Sequence, residues 1–326
     1  MSGWLITGAD GMLGREVVAA LRRAGAPVLP LARPDLDLTD AAAVHRTLRR
    51  ARPAVVVNCA AWTDVDGAES AERAALAVNG DAVRTLARAC AGVRSRMLHL
   101  STDYVFAGDA DTPYPEDAPA APRSAYGRGK LAGERAVLEE LPRLGTVVRT
   151  AWLYAGHGRN FVTTMAERAA AGAEVRVVDD QYGQPTWARD VAGRLLALGG
   201  LPAERAAGVF HATAAGRTTW FGLAREVFRL TGADPALVRP ISTAQLGRPA
   251  PRPAFGVLGH GRWAAAGLAP PRPWADGLAE ALSAATRPCP PLPSPSPPDT
   301  PDASGASGAS DVSAFPTGTY DSKGVA

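Results

Sequence analysis

A tyrosine and a lysine four residues apart carry the strongest chemical signal in this sequence. The chain has 326 residues and 35 basic side chains, but only two of these are lysines, Lys130 and Lys323. Lys130 follows Tyr126 by four positions, so on a helix both side chains would lie on one face. A phenol can act as a general acid, and a nearby ammonium can tune its pKa. We therefore predict that Tyr126 and Lys130 are catalytic.

Three glycines near the start of the chain predict a phosphate-binding turn. Gly8, Gly11 and Gly14 follow a short apolar run and precede an amphipathic stretch. Glycine lets the backbone approach a pyrophosphate, which then meets the free N–H groups at a helix N-terminus. The pattern alone also fits an ordinary tight turn. Its place directly after the first strand favours a dinucleotide site.

The end of the second predicted strand indicates which dinucleotide is bound. An acidic residue there would bind the ribose 2′-hydroxyl of NAD. This chain instead has Arg33, with no carboxylate before Asp35 and Asp37. An arginine can pair with a 2′-phosphate, which favours NADPH. NADH is left possible, because Arg33 could simply point into solvent.

Small and hydroxyl-bearing residues follow the third and fourth predicted strands. Small side chains at such a sheet edge let a dinucleotide lie across it. Thr102, expected opposite Tyr126, could polarise a substrate carbonyl for hydride attack, and we predict that it is catalytic. The complete set of predicted cofactor contacts is Gly8, Asp10, Gly11, Met12, Leu13, Gly14, Arg33, Asp37, Leu38, Cys59, Ala60, Ala61, Tyr126 and Lys130.

Alternating strands and helices must position these residues. The predicted strands span residues 4–7, 28–31, 54–57, 97–100 and 146–149, and Pro30 places the second of them at a sheet edge. The predicted helices span residues 12–24, 40–50, 68–91 and 124–141. Apolar strands separated by helices indicate a parallel sheet covered on both faces. The predicted fold class is α/β, a Rossmann-type doubly wound parallel sheet with a smaller C-terminal substrate-binding lobe.

The rest of the chain is less regular and sets the predicted domain boundaries. Helical patterns cover residues 160–171, 187–198, 220–230 and 274–284, and apolar runs cover 175–178 and 208–211. We expect an NADP(H)-binding Rossmann domain over residues 1–150. Residues 151–285 are expected to form mainly the substrate lobe, with elements that return to the core. The Pro/Ser/Gly-rich segment 286–326 has few large apolar residues and is predicted to be disordered.

Composition argues against several other functions. The net charge is only +3, and the arginines form no basic block, so no nucleic-acid partner is expected. The three cysteines show neither metal spacing nor a disulfide framework, which fits a reducing cytoplasm. No apolar stretch is long enough to cross a bilayer, so no membrane association is expected. The predicted location is cytoplasmic.

Longer motifs around these residues resemble the dTDP-4-dehydrorhamnose reductase family of the extended short-chain dehydrogenase/reductase superfamily. The resemblance covers about residues 3–285 and includes the glycine turn. Its other motifs are residues 101–106 (STDYVF), 125–127 (AYG), 130–134 (KLAGE), 149–154 (RTAWLY), 180–186 (DQYGQPT) and 252–255 (RPAF).

This resemblance implies reduction of the 4-keto group of a dTDP-linked 6-deoxyhexose, with dTDP-4-dehydro-β-L-rhamnose giving dTDP-L-rhamnose. It implies that Tyr126 donates the proton and that Thr102 polarises the ketone. It also implies that Lys130 binds the nicotinamide ribose and lowers the pKa of Tyr126. The substrate contacts that follow from it are Thr102, Asp103, Tyr126, Trp152, Asn160 and Arg252. Related dehydratases have Asp-Glu after the threonine, whereas here Tyr104 follows Asp103, which favours simple reduction.

The chain departs from the family pattern at several positions. Gly256 and Gly259 stand where relatives usually have Ser and an acidic residue. Some members dimerise around a magnesium ion held by carboxylates; Glu16 matches one such position, but Arg189 occupies another. We therefore predict no metal ligands and leave open both a use of Mg²⁺ and the choice between monomer and homodimer.

Two alternative functions stay open. One is a 4-ketoreductase for another dTDP-deoxysugar of secondary metabolism. The other is a non-catalytic NADP-binding regulatory subunit, because the family resembles the regulatory subunit of methionine adenosyltransferase. The intact set of Thr102, Tyr126 and Lys130 favours an enzyme, since binding alone needs no proton donor.

Overall fold

A six-stranded parallel sheet forms the centre of the molecule. The computed structural model describes residues 3–285, and the segment predicted to be disordered lies outside the described residues. The sheet order is β10-β5-β4-β3-β1-β2, and every neighbouring pair is parallel. The strands of the chain are β1 Trp4–Thr7, β2 Val28–Leu31, β3 Val55–Asn58, β4 Arg96–Thr102, β5 Gly145–Thr150, β6 Leu153–Tyr154, β7 Val175–Val178, β8 Tyr182–Gly183, β9 Thr186–Trp187, β10 Gly208–His211, β11 Thr218–Thr219 and β12 Val238–Ile241.

Helices cover both faces of this sheet. The α-helices are α1 Met12–Arg23, α2 Ala41–Ala51, α3 Val65–Ser70, α4 Glu72–Leu76, α5 Ala82–Val93, α6 Ala125–Glu140, α7 Phe161–Ala170, α8 Ala188–Gly200, α9 Ala203–Ala206, α10 Trp220–Leu230, α11 Thr243–Leu246, α12 Gly261–Ala265 and α13 Trp274–Ala285. A π-helical turn spans Ala77–Asp81, and 3₁₀ turns span Asp103–Val105 and Pro235–Leu237.

Alternation along the strands explains why both faces are covered. Successive side chains of a strand point to opposite faces, so an entirely apolar strand needs a core on each side. On one face, Ile6, Val57 and Leu98 belong to a cluster that also takes in α1 and α8. On the other, their neighbours Leu5 and Val56 belong to a cluster with α2 and α5. The predicted doubly wound parallel sheet is confirmed.

The two edges of the sheet come from distant parts of the chain. β2 is one edge strand, as Pro30 predicts, because proline has no N–H to donate to a further strand. β10 is the other, and its Phe210 pairs with Val148 of β5. An element of the second half of the chain therefore completes the main sheet. A separate apolar cluster around Tyr154, Phe161 and Phe228 gathers most other elements of that half.

The helical pattern predicted over residues 68–91 is confirmed except at Ala71, but the segment is not one regular α-helix. The chain there forms two short helices, a π-helical turn and then α5. Within the π-turn, the Asn79 side chain accepts from Trp62 N at 2.9 Å and donates to Trp62 O at 3.0 Å. These two bonds hold the loop after β3 against the helical segment, and π-turns of this kind are frequent at functional sites. No helix among residues 3–285 is both long and apolar enough to span a membrane.

Candidate active site

A cavity of about 650 Å³ opens at the carboxyl ends of the central strands. Ligands of doubly wound folds bind at this edge of the sheet. Seventeen of the predicted site residues line the cavity, namely Gly8, Asp10, Gly11, Met12, Leu13, Gly14, Arg33, Asp37, Leu38, Cys59, Ala60, Ala61, Thr102, Asp103, Tyr126, Lys130 and Trp152. The structure therefore brings together residues that are up to 144 positions apart in the chain, from Gly8 to Trp152.

The glycine turn is closely packed against its surroundings. Gly8 has a positive φ of 64°, and a Cβ there would lie 2.7 Å from Ala60 N. A Cβ on Gly14 would lie 2.1 Å from Gly8 O. α1 then begins with no side-chain cap at Gly11 and no acidic residue in its first turn. A helix start without an anionic cap, at the wall of a cavity, suits the pyrophosphate of a dinucleotide.

Arg33 lies at the rim beside a well-held carboxylate. Its side chain is 85% exposed, and its Nε lies 3.9 Å from Asp37 Oδ2. Hydrogen bonds from the backbone and the side chain of Thr39 lower the pKa of Asp37. An exposed ion pair of this length is weak, so Arg33 can turn toward a phosphate with little loss of free energy.

Thr102 and Asp103 form a hydrogen-bonded pair at the end of β4. Thr102 Oγ1 donates to Asp103 Oδ1 at 3.0 Å and accepts from Tyr104 N at 3.2 Å. Asp103 is only 2% exposed, and this burial raises the pKa of its carboxyl to about 7. Its carboxyl packs against Gly256, where a Cβ would lie 2.4 Å from Oδ2. Near neutral pH this group can therefore be found with or without its proton.

The raised pKa of Asp103 predicts a pH-dependent stability effect. An unfolded chain ionises this carboxyl near its ordinary pKa of 3.8, whereas the folded chain resists ionisation up to about 7. The destabilisation is therefore absent below the lower value and grows as the pH rises through this window. We expect Asp103→Asn to raise the Tm relative to the unaltered chain at pH 8 but not at pH 4. Thermal unfolding gives the Tm of the variant and of the unaltered chain at each pH. The same difference in Tm at pH 4 and at pH 8 would contradict the prediction.

Tyr126 lies in the first turn of α6, next to this pair. Ser124 caps the helix by accepting from Gly127 N at 3.1 Å. The Tyr126 ring stands edge-on to that of Tyr104, with centroids 5.6 Å apart. Burial and then the charge of Asp103 raise the pKa of Tyr126 to about 12, while the Thr102 hydroxyl acts weakly in the opposite direction. The phenol therefore keeps its proton at neutral pH, as a proton donor must.

Lys130 lies deeper, one helical turn after Tyr126, and binds the β4 backbone. Its Nζ donates to Leu100 O at 2.6 Å, and the residue is 3% exposed. Burial lowers the pKa of Lys130 to about 8, while Glu134 and Cys59 partly oppose this effect. Burial dominates the pKa of Tyr126 in this structure, and the lowering effect of Lys130 on that pKa stays a prediction.

Comparison with known proteins identifies the family. The model of the RmlD substrate binding domain matches residues 2–287. A dTDP-4-dehydrorhamnose reductase of Streptomyces griseus is 55% identical over 293 residues, which cover 88% of this chain and 96% of that protein. The chain belongs to the dTDP-4-dehydrorhamnose reductase family. The resemblance predicted from the motifs is confirmed, and the chain is an oxidoreductase.

Two further members show how closely sequence and structure agree. A dTDP-4-keto-6-deoxy-D-glucose reductase of Streptomyces niveus is 51% identical and covers 85% of this chain and 96% of its own length. The structure of a dTDP-4-dehydrorhamnose reductase from Bacillus anthracis, in complex with NADP, superposes with a TM-score of 0.83 at 33% identity. That match covers 87% of this chain and 100% of the other. The fold is thus that of a reductase solved with its cofactor.

Two of the substrate contacts predicted from the family resemblance lie outside the cavity. Asn160 caps α7: its Oδ1 accepts from Thr163 N at 3.1 Å, and its Nδ2 donates to Ala155 O at 2.9 Å. The side-chain amide of Asn160 is therefore occupied by hydrogen bonds at the start of α7. Arg252 donates to Asp66 Oδ2 at 2.9 Å, which fastens the 248–252 segment to α3. In this structure both side chains have structural partners, and their contact with substrate stays a prediction.

Trp220, which sequence analysis missed, forms another wall of the cavity together with the predicted Trp152. Trp220, at the start of α10, stacks on Trp152 with centroids 3.7 Å apart and an interplanar angle of 12°. Trp152 has a positive φ of 46°, which is rare for a bulky side chain. A Cβ on Gly183 would lie 2.3 Å from the Trp152 ring, so this glycine makes room for the ring. Other cavity residues that were not predicted include Trp62, Thr63, Val78, Ser101, Tyr104 and Thr150.

The positions tied to a magnesium ion in some family members are otherwise engaged. Glu16 Oε1 lies 3.1 Å from Nε2 of His157. Arg189 holds its guanidinium 5.3 Å over the ring of Trp187. Within residues 3–285, no cluster of three or more His, Cys, Asp or Glu side chains could hold a metal ion.

Proposed function

We propose that this chain is an NADPH-dependent reductase of the 4-keto group of a dTDP-4-dehydro-6-deoxyhexose. The proposed substrate is dTDP-4-dehydro-β-L-rhamnose, and the product is dTDP-L-rhamnose. One observation carries the proposal: Thr102, Tyr126 and Lys130 line the same cavity as the glycine turn. The names of the closely similar relatives support it, since they describe reductases of dTDP-linked 4-keto sugars.

Each side chain has a distinct part in this proposed reaction. NADPH, when bound, supplies the hydride that reduces the ketone carbon. Thr102 donates a hydrogen bond to the ketone oxygen, and Tyr126 gives its proton to that oxygen as charge develops. Lys130 holds the ribose hydroxyls and offsets the negative charge left on Tyr126.

Asp103 frees the Thr102 hydroxyl for this task. In the structure, Thr102 Oγ1 donates to the Asp103 carboxylate. When Asp103 is protonated, its own hydrogen can occupy the same contact, and the Thr102 hydrogen is then available to the ketone. The raised pKa of Asp103, about 7, makes this form accessible near neutral pH.

The two halves of the chain are proposed to divide the binding of the two ligands. Residues 1–150 supply the glycine turn and Arg33 to the cavity, and we assign this half to NADPH. Residues 151–285 supply Trp152 and Trp220, flat faces that suit the sugar or the base of the substrate. We propose that the enzyme works in the cytoplasm, as a monomer or homodimer, without a nucleic-acid or membrane partner.

Arg33 is the residue that we propose binds the 2′-phosphate of NADPH. Its replacement by alanine should reduce the preference for NADPH over NADH by about 1–2 kcal/mol, because a charge-assisted bond is lost at an exposed site. The ratio of kcat/KM for the two cofactors measures this preference. Arg49→Ala, which removes an exposed arginine at the end of α2, is the matched control. Equal use of both cofactors by the unaltered enzyme would show that Arg33 does not read the phosphate.

The substrate is tested by direct assay with product analysis. The full chain is incubated with NADPH and dTDP-4-keto-6-deoxyglucose, with and without a 3,5-epimerase, and the sugar is identified by NMR. The proposal expects NADPH oxidation to depend on the epimerase and to yield the rhamnose derivative. Oxidation without the epimerase would instead favour the alternative of another dTDP-deoxysugar, consistent with the name of the relative from Streptomyces niveus. No oxidation in either case would favour a non-catalytic NADP-binding subunit.

A further inference from the structure

A second cavity of about 510 Å³ lies apart from the candidate active site. It is bounded by the last turn of α1, the first turns of α8 and the segment 268–272, and the two cavities share no lining residue. Four arginines line it, namely Arg23, Arg189, Arg194 and Arg272. Among its described lining residues, Asp190 is the single carboxylate. The cavity therefore has a strong positive charge that the reaction does not use.

Arg272 forms ion pairs with two carboxylates, Asp190 and Glu280. It donates to both oxygens of Asp190 at 2.8 Å and to Glu280 Oε2 at 2.6 Å. These hydrogen bonds occupy three of the five N–H donors of the guanidinium, so few donors are left for another ligand. The single carboxylate of the cavity is therefore already bound by Arg272 and forms no ion pair with the other three arginines.

These three arginines form no ion pair with any described residue. Arg194 is half-buried and stacks 4.6 Å over the ring of Trp263, with a single long bond of 3.5 Å to Ala269 O. Burial lowers its pKa, as expected for a cation removed from water without a full counter-charge. Arg189 and Arg23 are exposed at the rim of the cavity. Three arginines that form no ion pair among the described residues thus line one cavity.

We propose that this cavity binds a pyrophosphate group, either free or as part of a nucleotide. Planar guanidinium groups bind phosphate oxygens through paired hydrogen bonds, and three of them match an anion with several charged oxygens better than a single carboxylate. The volume lies within the range of small-molecule sites. Val191, Leu268 and Pro270 give the cavity an apolar side that could receive a nucleoside. The bound anion would tie the end of α1 to α8.

The test uses the full chain and inorganic pyrophosphate at constant ionic strength, followed by isothermal titration calorimetry. The double variant Arg23→Ala/Arg189→Ala should weaken binding by about tenfold or more, because two charge-assisted contacts are lost. The matched control, Arg49→Ala/Arg50→Ala, removes two exposed arginines at the end of α2 and should change the Kd by less than about twofold.

Several outcomes would overturn the proposal. Equal weakening by both double variants would show non-specific attraction, and the absence of saturable binding would show that there is no site. Pyrophosphate could instead occupy the glycine turn of the active site. In that case Arg33→Ala and added NADPH would weaken its binding, while Arg23→Ala/Arg189→Ala would not.

Adenosine diphosphate distinguishes the two sources of the anion. Tighter binding than pyrophosphate, lost again in Arg23→Ala/Arg189→Ala, would assign the site to a nucleotide. If adenosine diphosphate binds no more tightly than pyrophosphate, and the double variant weakens both, the site would be assigned to the free anion. Adenosine diphosphate binding that the variant leaves intact would place the nucleotide elsewhere and would overturn the nucleotide form of the proposal.

Discussion

Tyr126→Phe should lower kcat by about 10²-fold or more, while the affinity for NADPH and substrate stays close to that of the unaltered enzyme. The substitution keeps the ring, which packs edge-on against Tyr104, and removes only the hydroxyl. The raised pKa of Tyr126, about 12, keeps that hydroxyl protonated in the resting enzyme. Steady-state kinetics give kcat, and titration of protein fluorescence gives the binding constants.

The matched control is Tyr182→Phe, which removes a phenol hydroxyl from a 43% exposed residue outside the cavity. It should leave kcat unchanged. If Tyr126→Phe kept more than about a tenth of the normal turnover, the proton would have to come from another group. Asp103, with a pKa of about 7 and a direct contact with Thr102, would then be the first candidate.

Lys130→Arg should also abolish most activity, although it preserves the charge. The lysine side chain is buried, and its Nζ reaches Leu100 O at 2.6 Å. A longer side chain with a planar fork cannot take this place without moving β4 or α6. We expect kcat/KM to fall by about 10²-fold, together with weaker NADPH binding and a lower Tm.

Arg128→Lys is the control for this change. Arg128 lies two residues away on the same helix, is exposed and pairs with Glu72 at 2.6 Å. Loss of a surface ion pair should matter little, so this variant should keep both its activity and its Tm. If Lys130→Arg were as active as the unaltered enzyme, a compact ammonium would not be needed at this position, and the role given to Lys130 would be wrong.

The sheet and most of the cavity could be predicted because their signals are local. Strands such as Val55–Asn58 are apolar up to their last residue, and the residues at the ends of the strands of a parallel sheet meet at one edge. The glycine turn and Thr102 could therefore be placed at this edge without coordinates. The π-turn at Asn79 could not be predicted, since the contacts of Asn79 are hydrogen bonds to Trp62, 17 positions earlier.

Other features of the site depend on contacts between distant parts of the chain. Trp220 lies 68 positions after Trp152, and no spacing rule links the two rings that stack in the cavity. Asn160 and Arg252 are predicted from the family resemblance, yet a resemblance does not show whether a side chain faces the ligand or supports the backbone. The direction of the Tyr126 pKa shift follows from burial, which a sequence does not contain.

The scarcity of lysine makes the reacting centre open to covalent labelling at a single amine. Lys130 is the only lysine in residues 3–285, and it lies at the wall of the cavity with 3% of its surface exposed. Its lowered pKa, about 8, leaves a substantial fraction of neutral amine at mildly alkaline pH. Acylation at this position, located by peptide mass spectrometry, would therefore record how readily small molecules enter the cavity, with no other side-chain amine in that part of the chain to compete.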